Sequence, residues 1–99
     1  MKRVIWSEAA ERDYLGILRH ISANDPDAAE RVRAAIEKTA DNLADFATGH
    51  PSRVGGAYEK SVRRLPYIIA YALTDGDKAI SILRVIHTAR DWQGDSWPE

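Results

Sequence analysis

The spacing of apolar residues changes from a helical period to a strand period near the middle of the chain. After a short apolar-leaning run at 2–6, which predicts a first strand, apolar residues recur at three- and four-residue steps. This spacing predicts a helix that ends near Ala23 and a second helix from Pro26 to about Ala47. The apolar faces of the two predicted helices consist of Ala10, Tyr14, Ile17, Leu18, Ile21, Ala28, Val32, Ala35, Ile36, Leu43 and Phe46.

Polar residues mark the beginnings of both predicted helices. Ser7 offers a hydroxyl as the first N-cap, and Glu8 and Glu11 follow where a helix favours negative charge. Asp25 or Asn24 is expected to cap the second helix, whose first position suits a proline because its N–H would be unpaired there. The short connection predicts an antiparallel helical hairpin.

The second half of the chain has the pattern of three strands. A loop at 48–57 is followed by a half-exposed strand at 58–65. The segments 67–74 and 79–87 are apolar on both faces, as central strands are. Asp75-Gly76-Asp77 predicts the tight turn between them.

The predicted order is therefore β-α-α-β-β-β, an α+β fold. The last three strands form an antiparallel meander within a small, mainly antiparallel twisted sheet. The helical hairpin is expected to cover one face of this sheet, since its apolar stripes have no other partner. The other face is expected to be partly open.

Composition narrows the class of protein. A length of 99 residues suits a single domain at 1–99, and a hydrophobic content of 44% with 29% charged residues is ordinary for a globular chain. The absence of cysteine fits a reducing cytoplasm, and the sequence has neither a signal peptide nor an apolar run long enough for a membrane span. A net charge of −1 disfavours a protein that grips nucleic acid by its backbone.

The last predicted strand ends in a cluster of polar and aromatic residues. His87 is a candidate general acid or base near neutral pH, and Arg90 is a candidate clamp for a phosphate or carboxylate. The alternative is structural: Asp91 pairs with Arg90 or caps a turn, and Trp92 covers the sheet edge. For His87 the structural interpretation is favoured.

Other cations and tyrosines along the strands are candidates for partner contacts. Arg84 interrupts the face formed by Ile80, Ile82 and Ile86, so its charge is expected to be paired or to reach solvent. We favour a structural or partner-facing role for it over catalysis. Further candidates, on or beside the preceding strands, are Arg63, Arg64 and Tyr67.

Arg63 and Arg64 are expected on opposite faces of one strand, so only one of them joins any given surface. The hydroxyls of Tyr58, Tyr67 and Tyr71 are expected to reach the rim of the core. No histidine spacing indicates a metal site, and no glycine-rich loop indicates a phosphate or cofactor site.

Four stretches together resemble the RelE/ParE superfamily of bacterial toxins, and its ParE-like branch in particular. They are the opening VIWSEAAERDYLGILRHI, the second helix that begins at proline, VRRLPYIIAYAL, and the ending ILRVIHTARDW. The resemblance covers nearly the whole chain. It implies the same β-α-α-β-β-β fold and a cytoplasmic toxin of a type II toxin–antitoxin system, associated with growth arrest and plasmid stabilisation.

The resemblance leaves two activities open. RelE-type members cut mRNA on the ribosome with lysines and arginines of the open sheet face, whereas known ParE-type members poison DNA gyrase. Glu59 and Ser61 stand roughly where RelE-type lysines stand, and Ile68 follows Tyr67 where an arginine is expected. We therefore favour a non-catalytic gyrase inhibitor. The alternative is an mRNA endoribonuclease with a reduced site, built from His87, Arg90 and Arg63.

A third possibility is a relative that no longer poisons a target and acts only with its partner in autorepression. All three imply a small DNA-binding antitoxin whose C-terminal segment folds on the toxin in a hetero-oligomer, so that operator DNA is reached only through the antitoxin. The expected receptor is the groove between the hairpin and the sheet. Residues expected to bind target or antitoxin are Arg63, Arg64, Tyr67, Arg84, His87, Arg90, Asp91 and Trp92.

Overall fold

The computed structural model describes residues 2–52 and 55–88, in which two helices and five strands occur. In chain order they are β1 (Arg3–Trp6), α1 (Glu8–Ser22), α2 (Pro26–Asp45), β2 (His50–Pro51), β3 (Tyr58–Ser61), β4 (Tyr67–Thr74) and β5 (Ala79–His87). The predicted order is confirmed, with β2 as an additional short strand inside the predicted loop. The candidates Arg90, Asp91 and Trp92 lie outside the described residues.

Both helices begin as their sequences predict. The Ser7 side chain accepts a hydrogen bond from the N–H of Ala10 at 3.0 Å, and Asp25 Oδ1 accepts one from the N–H of Ala28 at 3.0 Å. Each bond satisfies one of the N–H groups that a helix leaves unpaired at its beginning. Pro26 occupies the first turn of α2, where its missing N–H costs nothing.

The five strands form one mixed sheet in the order β1-β5-β4-β3-β2. β1 pairs in parallel with β5, and the remaining pairs are antiparallel. The two helices pack on one face of this sheet, which confirms the α+β class. The shared core consists of Ala10, Val32, Ile36, Ala40, Leu43, Val62, Tyr67, Ile69, Tyr71, Ile80, Ile82 and Val85.

A β-bulge in β5 reverses the alternation of its side chains. Tyr71 pairs with Ile82, whereas the preceding residue Ala70 pairs with Arg84, so that Leu83 has no register partner. An extra residue of this kind moves every later side chain to the opposite face. The predicted single face of Ile80, Ile82 and Ile86 is therefore wrong: Ile86 lies on the face away from the helices.

β3 is shorter than its sequence pattern predicts. It ends at Ser61, and the predicted extension of this strand to residue 65 is wrong. Arg63 and Arg64 instead lie in the turn before β4, where Arg64 has a left-handed backbone with φ of 66°. The predicted placement of the two arginines on opposite faces of a strand is corrected accordingly. The turn is held by a hydrogen bond of 2.9 Å from the N–H of Val62 to the carbonyl of Tyr67.

The loop that follows α2 is fixed to the sheet by a close approach at Gly49. The N–H of Gly49 donates a hydrogen bond of 2.9 Å to the hydroxyl of Tyr71, whose ring is buried and stacked on Tyr58. A Cβ at position 49 would lie 2.5 Å from the carbonyl oxygen of Glu59. Burial raises the pKa of the Tyr71 hydroxyl above its ordinary value.

Neither helix among the described residues combines the length and the apolar character that crossing a lipid bilayer requires.

Candidate partner-binding site

Several candidate residues meet at one end of the sheet. Tyr67 at the beginning of β4 pairs in register with His87 at the end of β5, and their rings make an edge contact with centroids 5.3 Å apart. The N–H of Thr88 donates to the carbonyl of Pro66 at 2.9 Å, which ties the end of β5 to the turn that carries Arg63. The structure thus brings Tyr67, His87 and the turn that carries Arg63 to one end of the sheet, where the Tyr67 ring is part of the core. A binding role for these residues stays a prediction.

Arg84 is held by α1 rather than presented to a ligand. Its Nε donates to Asp13 Oδ2 at 2.6 Å and its Nη2 donates to Asp13 Oδ1 at 3.0 Å. Both side chains are largely shielded, with 28% and 18% of their surfaces exposed. The sequence favours a structural or partner-facing role for Arg84; this ion pair gives it a structural role, and a contact with a partner stays a prediction.

A groove lies between the end of α2 and β3, with a volume of about 410 Å³. We call it the basic groove; it is lined by Thr39, Asn42, Leu43, Phe46, Thr48, Lys60, Ser61 and Arg63. Its two charged residues, Lys60 and Arg63, are both cations. Lys60 Nζ donates to Thr48 Oγ1 at 2.9 Å, which holds the ammonium beside the groove.

Phe46 is the large apolar side chain that this groove leaves in contact with water. It follows the last residue of α2 and is 72% exposed, so its assignment to the buried face of the helix is wrong. The reason is local: α2 ends at Asp45, the residue before Phe46, and the extended backbone of Phe46 turns its side chain away from the apolar face of the helix. Sequence reasoning also missed Lys60 and Leu43 as groove residues, because only the packing of α2 beside β3 brings them together.

The face of the sheet away from the helices is poor in available cations. Register places Glu59, Ala70 and Arg84 side by side across it, and Ser61, Ile68 and Ile86 in the next row. Among the described strand residues of this face, the cations are Arg84 and Arg3, and both form ion pairs, Arg3 with Asp75 at 2.7 Å. Glu59 therefore adds negative charge where a nuclease requires positive charge.

Within residues 2–52 and 55–88, no three histidine, aspartate or glutamate side chains are grouped as metal ligands.

Comparisons with known proteins agree with this architecture. A family model described as the ParE toxin of the type II toxin–antitoxin system parDE matches residues 4–92. A putative toxin, Y4kP, of Sinorhizobium fredii is 37% identical over 92 residues, which cover 92% of this chain and 93% of the relative. Toxin RelE2 of Caulobacter vibrioides is 33% identical and covers 91% of this chain and 99% of its own length.

Solved structures place the fold in the same group. The chromosomal ParDE toxin–antitoxin system of P. aeruginosa contains a chain with a TM-score of 0.79 and 25% identity, covering 88% of this chain and 96% of that chain. The isolated E. coli RelE toxin has a TM-score of 0.65 at 14% identity, covers 92% of this chain and 88% of that chain, and shows the shared fold alone. Because the family match spans nearly the whole sequence and the fold agrees with it, the chain belongs to the ParE toxin family of type II toxin–antitoxin systems.

Proposed function

We propose that this toxin arrests growth by binding a target protein, DNA gyrase, without breaking a covalent bond itself. The observation that carries the proposal is the composition of the open sheet face, where Glu59 lies beside Ala70 and Arg84 is already bound to Asp13. Gyrase lies in the bacterial cytoplasm, so we place the toxin there as well.

Cleavage of RNA by its own 2′-hydroxyl makes specific demands on a protein. It requires a base, an acid and cations that stabilise the charge developing on the phosphorus centre. Moving Arg84 from Asp13 to a phosphate would break a shielded ion pair and leave the carboxylate with the N–H of Val85 as a donor, which costs about 2 kcal/mol. Glu59 on the same row would oppose an approaching phosphate. Binding without chemistry makes no such demands.

We further propose that the basic groove receives the antitoxin. The solved relatives from P. aeruginosa and M. tuberculosis are described as a ParDE system and a RelBE2 complex, so a toxin of this fold is found with an antitoxin there. An amphipathic segment with acidic residues suits the groove, since Phe46 offers exposed apolar surface while Lys60 and Arg63 offer positive charge. Coupled folding of such a segment buries enough apolar area to offset its ordering cost.

The target is tested with the purified chain, freed of antitoxin. Stoichiometric toxin is expected to block supercoiling by gyrase, or to trap cleaved DNA on it, and adding antitoxin is expected to restore activity. Normal supercoiling at a large excess of toxin refutes gyrase as the target. Induced expression without the antitoxin is expected to arrest growth with DNA damage rather than loss of mRNA.

The second candidate function is ribosome-dependent mRNA cleavage. The observation in its favour is the position of His87 at the sheet end, beside Tyr67 and near the turn of Arg63. This mechanism predicts shortened transcripts in a translation extract and the loss of cleavage in His87→Ala. Under the binding mechanism, message stays intact with either protein.

A further inference from the structure

A second groove, unrelated to the basic groove, opens between α1, α2 and β1. It has a volume of about 350 Å³ and is lined by Trp6, Glu11, Tyr14, Leu15, Glu37 and Asp41. We call it the acidic groove, because its three charged lining residues are all carboxylates. It shares no lining residue with the basic groove.

Apolar and aromatic surface forms part of this groove. Trp6 and Tyr14 lie with ring centroids 5.3 Å apart at an angle of 58°. Leu15, the next residue on α1, is 47% exposed, which is unusual for a large aliphatic side chain beside two aromatic rings. The groove therefore offers faces on which an alkyl stem or a planar cation packs.

The carboxylates differ in how far they are already engaged. Glu37 accepts hydrogen bonds from the hydroxyl of Tyr14 and, at 3.0 Å, from Arg33 Nη1, so it orients the Tyr14 ring and its charge is largely balanced. Glu11 on α1 and Asp41 on α2 are exposed, and neither carboxylate has a hydrogen bond or an ion pair within the part of the chain that the structure describes. They stand on different helices that line the same groove, and both remain available.

We propose that the acidic groove binds an arginine side chain carried, beside an apolar residue, on a segment of a partner protein. A guanidinium matches this surface in three ways: it stacks on aromatic rings, it donates to carboxylates from a rigid fork, and its alkyl stem packs on aliphatic surface. An acidic segment is excluded by like-charge repulsion from Glu11 and Asp41. The partner segment is therefore basic and distinct from the acidic segment proposed for the basic groove.

This inference does not rest on the proposed toxin mechanism, since it follows from the charge and shape of the acidic groove alone. It assigns opposite charge preferences to two surfaces of one small protein. A basic segment is drawn to one groove and an acidic segment to the other, so that two segments bind without competition.

The test is a titration of the full-length chain with N-acetyl-arginine methylamide, followed by NMR. Saturable shifts are expected for the indole N–H of Trp6 and the methyl groups of Leu15. N-acetyl-citrulline methylamide, which has the same shape without the charge, is the matched ligand control and is expected to give little shift. Added salt is expected to weaken the arginine response, because the carboxylates are exposed.

The matched protein variant is Glu11→Gln combined with Asp41→Asn, which keeps side-chain size and removes both available charges. Arginine binding is expected to weaken by about threefold or more, while the dispersion of the amide spectrum stays unchanged. Glu59→Gln, on the open sheet face, is expected to leave binding intact. The proposal is overturned if the arginine ligand gives no saturable shift, if citrulline shifts the same signals equally, or if the double variant binds as the natural chain does.

Discussion

Asp13 on α1 binds Arg84 on β5 and, through the same Oδ2 atom, accepts a hydrogen bond of 3.0 Å from the N–H of Val85. β1 pairs with β5 only as far as Ile82, so the edge of β5 beyond that residue needs other partners. Ser7 supplies one, since its hydroxyl donates to the carbonyl of Leu83 at 2.9 Å, and Asp13 supplies the next. The beginning of α1 thus completes the sheet edge where β1 stops.

Asp13→Ala is expected to destabilise the fold by about 2 kcal/mol, because it leaves a shielded guanidinium and a backbone N–H without their acceptor. The free energy of unfolding in urea measures this loss. Glu8→Ala is the control, since Glu8 pairs with Arg12 on the same helix but both side chains are mostly exposed. The role assigned to Asp13 is wrong if both variants unfold at the same urea concentration.

Gly49→Ala is expected to destabilise the fold by about 1–3 kcal/mol. The new Cβ would meet the carbonyl oxygen of Glu59 at 2.5 Å and the hydroxyl of Tyr71 at 2.8 Å, and neither group can move without disturbing the sheet. Gly16→Ala provides the contrast, because a Cβ there meets nothing within 4 Å and alanine favours the α1 helix by about 0.5–1 kcal/mol. The midpoint of thermal unfolding should decrease in Gly49→Ala and increase in Gly16→Ala. A change in the same direction in both variants would contradict the close approach at Gly49.

Tyr14 is expected to make stability fall at alkaline pH. Burial first, and then the hydrogen bond to Glu37, raise its pKa from 10.0 to about 12. The folded chain holds this proton more tightly than the unfolded chain, so the stabilisation is complete below pH 10.0 and is lost as the pH rises towards about 12. Tyr14→Phe is expected to remove this part of the loss, as read from urea unfolding at several pH values. If the free energy of unfolding fell equally with rising pH in the natural chain and in Tyr14→Phe, this role of Tyr14 would be contradicted.

Glu37 is expected to make the stability of the fold decrease at acidic pH. The hydrogen bond from Tyr14, followed by the hydrogen bond and the positive charge of Arg33, holds its pKa below 4.5. Its stabilisation is therefore present above that ordinary value and is lost as the pH falls through the lower, folded value. Glu37→Gln should flatten the acid side of the stability curve, and Tyr14→Phe should flatten it partly. If the free energy of unfolding depended on acidic pH in both variants as it does in the natural chain, the assigned role of the Tyr14–Glu37 hydrogen bond would be wrong.

Phe46→Ser is expected to weaken antitoxin binding by about tenfold or more, since an exposed aromatic residue in the basic groove has the character of a binding hot spot. Stability should change little, because the side chain is 72% exposed. Isothermal titration with the antitoxin measures the first effect and thermal unfolding the second. Leu15→Ser, in the acidic groove, is the matched control and should leave the affinity for the acidic antitoxin segment unchanged; equal effects of the two substitutions would count against the basic groove as the receptor.

Local signals determined which segments are helices and strands. Ser7, Asp25 and Pro26 mark helix beginnings through bonds made within three residues, and the apolar periods reveal which faces are buried. The element order follows from these signals, and the packing of the hairpin on the sheet follows from the need to cover the apolar stripes. The element order and the packing of the hairpin need no knowledge of distant contacts, so sequence reasoning predicted them correctly, although it missed β2 and placed the end of β3 too late.

Only the tertiary structure decided how the chemistry is distributed. The partner of Arg84 lies 71 residues away, and the bulge at Leu83 decides which face Arg84 and Ile86 share. Phe46 becomes exposed because α2 ends at Asp45, the residue before it. The two grooves acquire opposite charges because the packing of helices and sheet gathers carboxylates in one and cations in the other. Such features depend on distances between residues far apart in the chain, which side-chain periodicity does not encode.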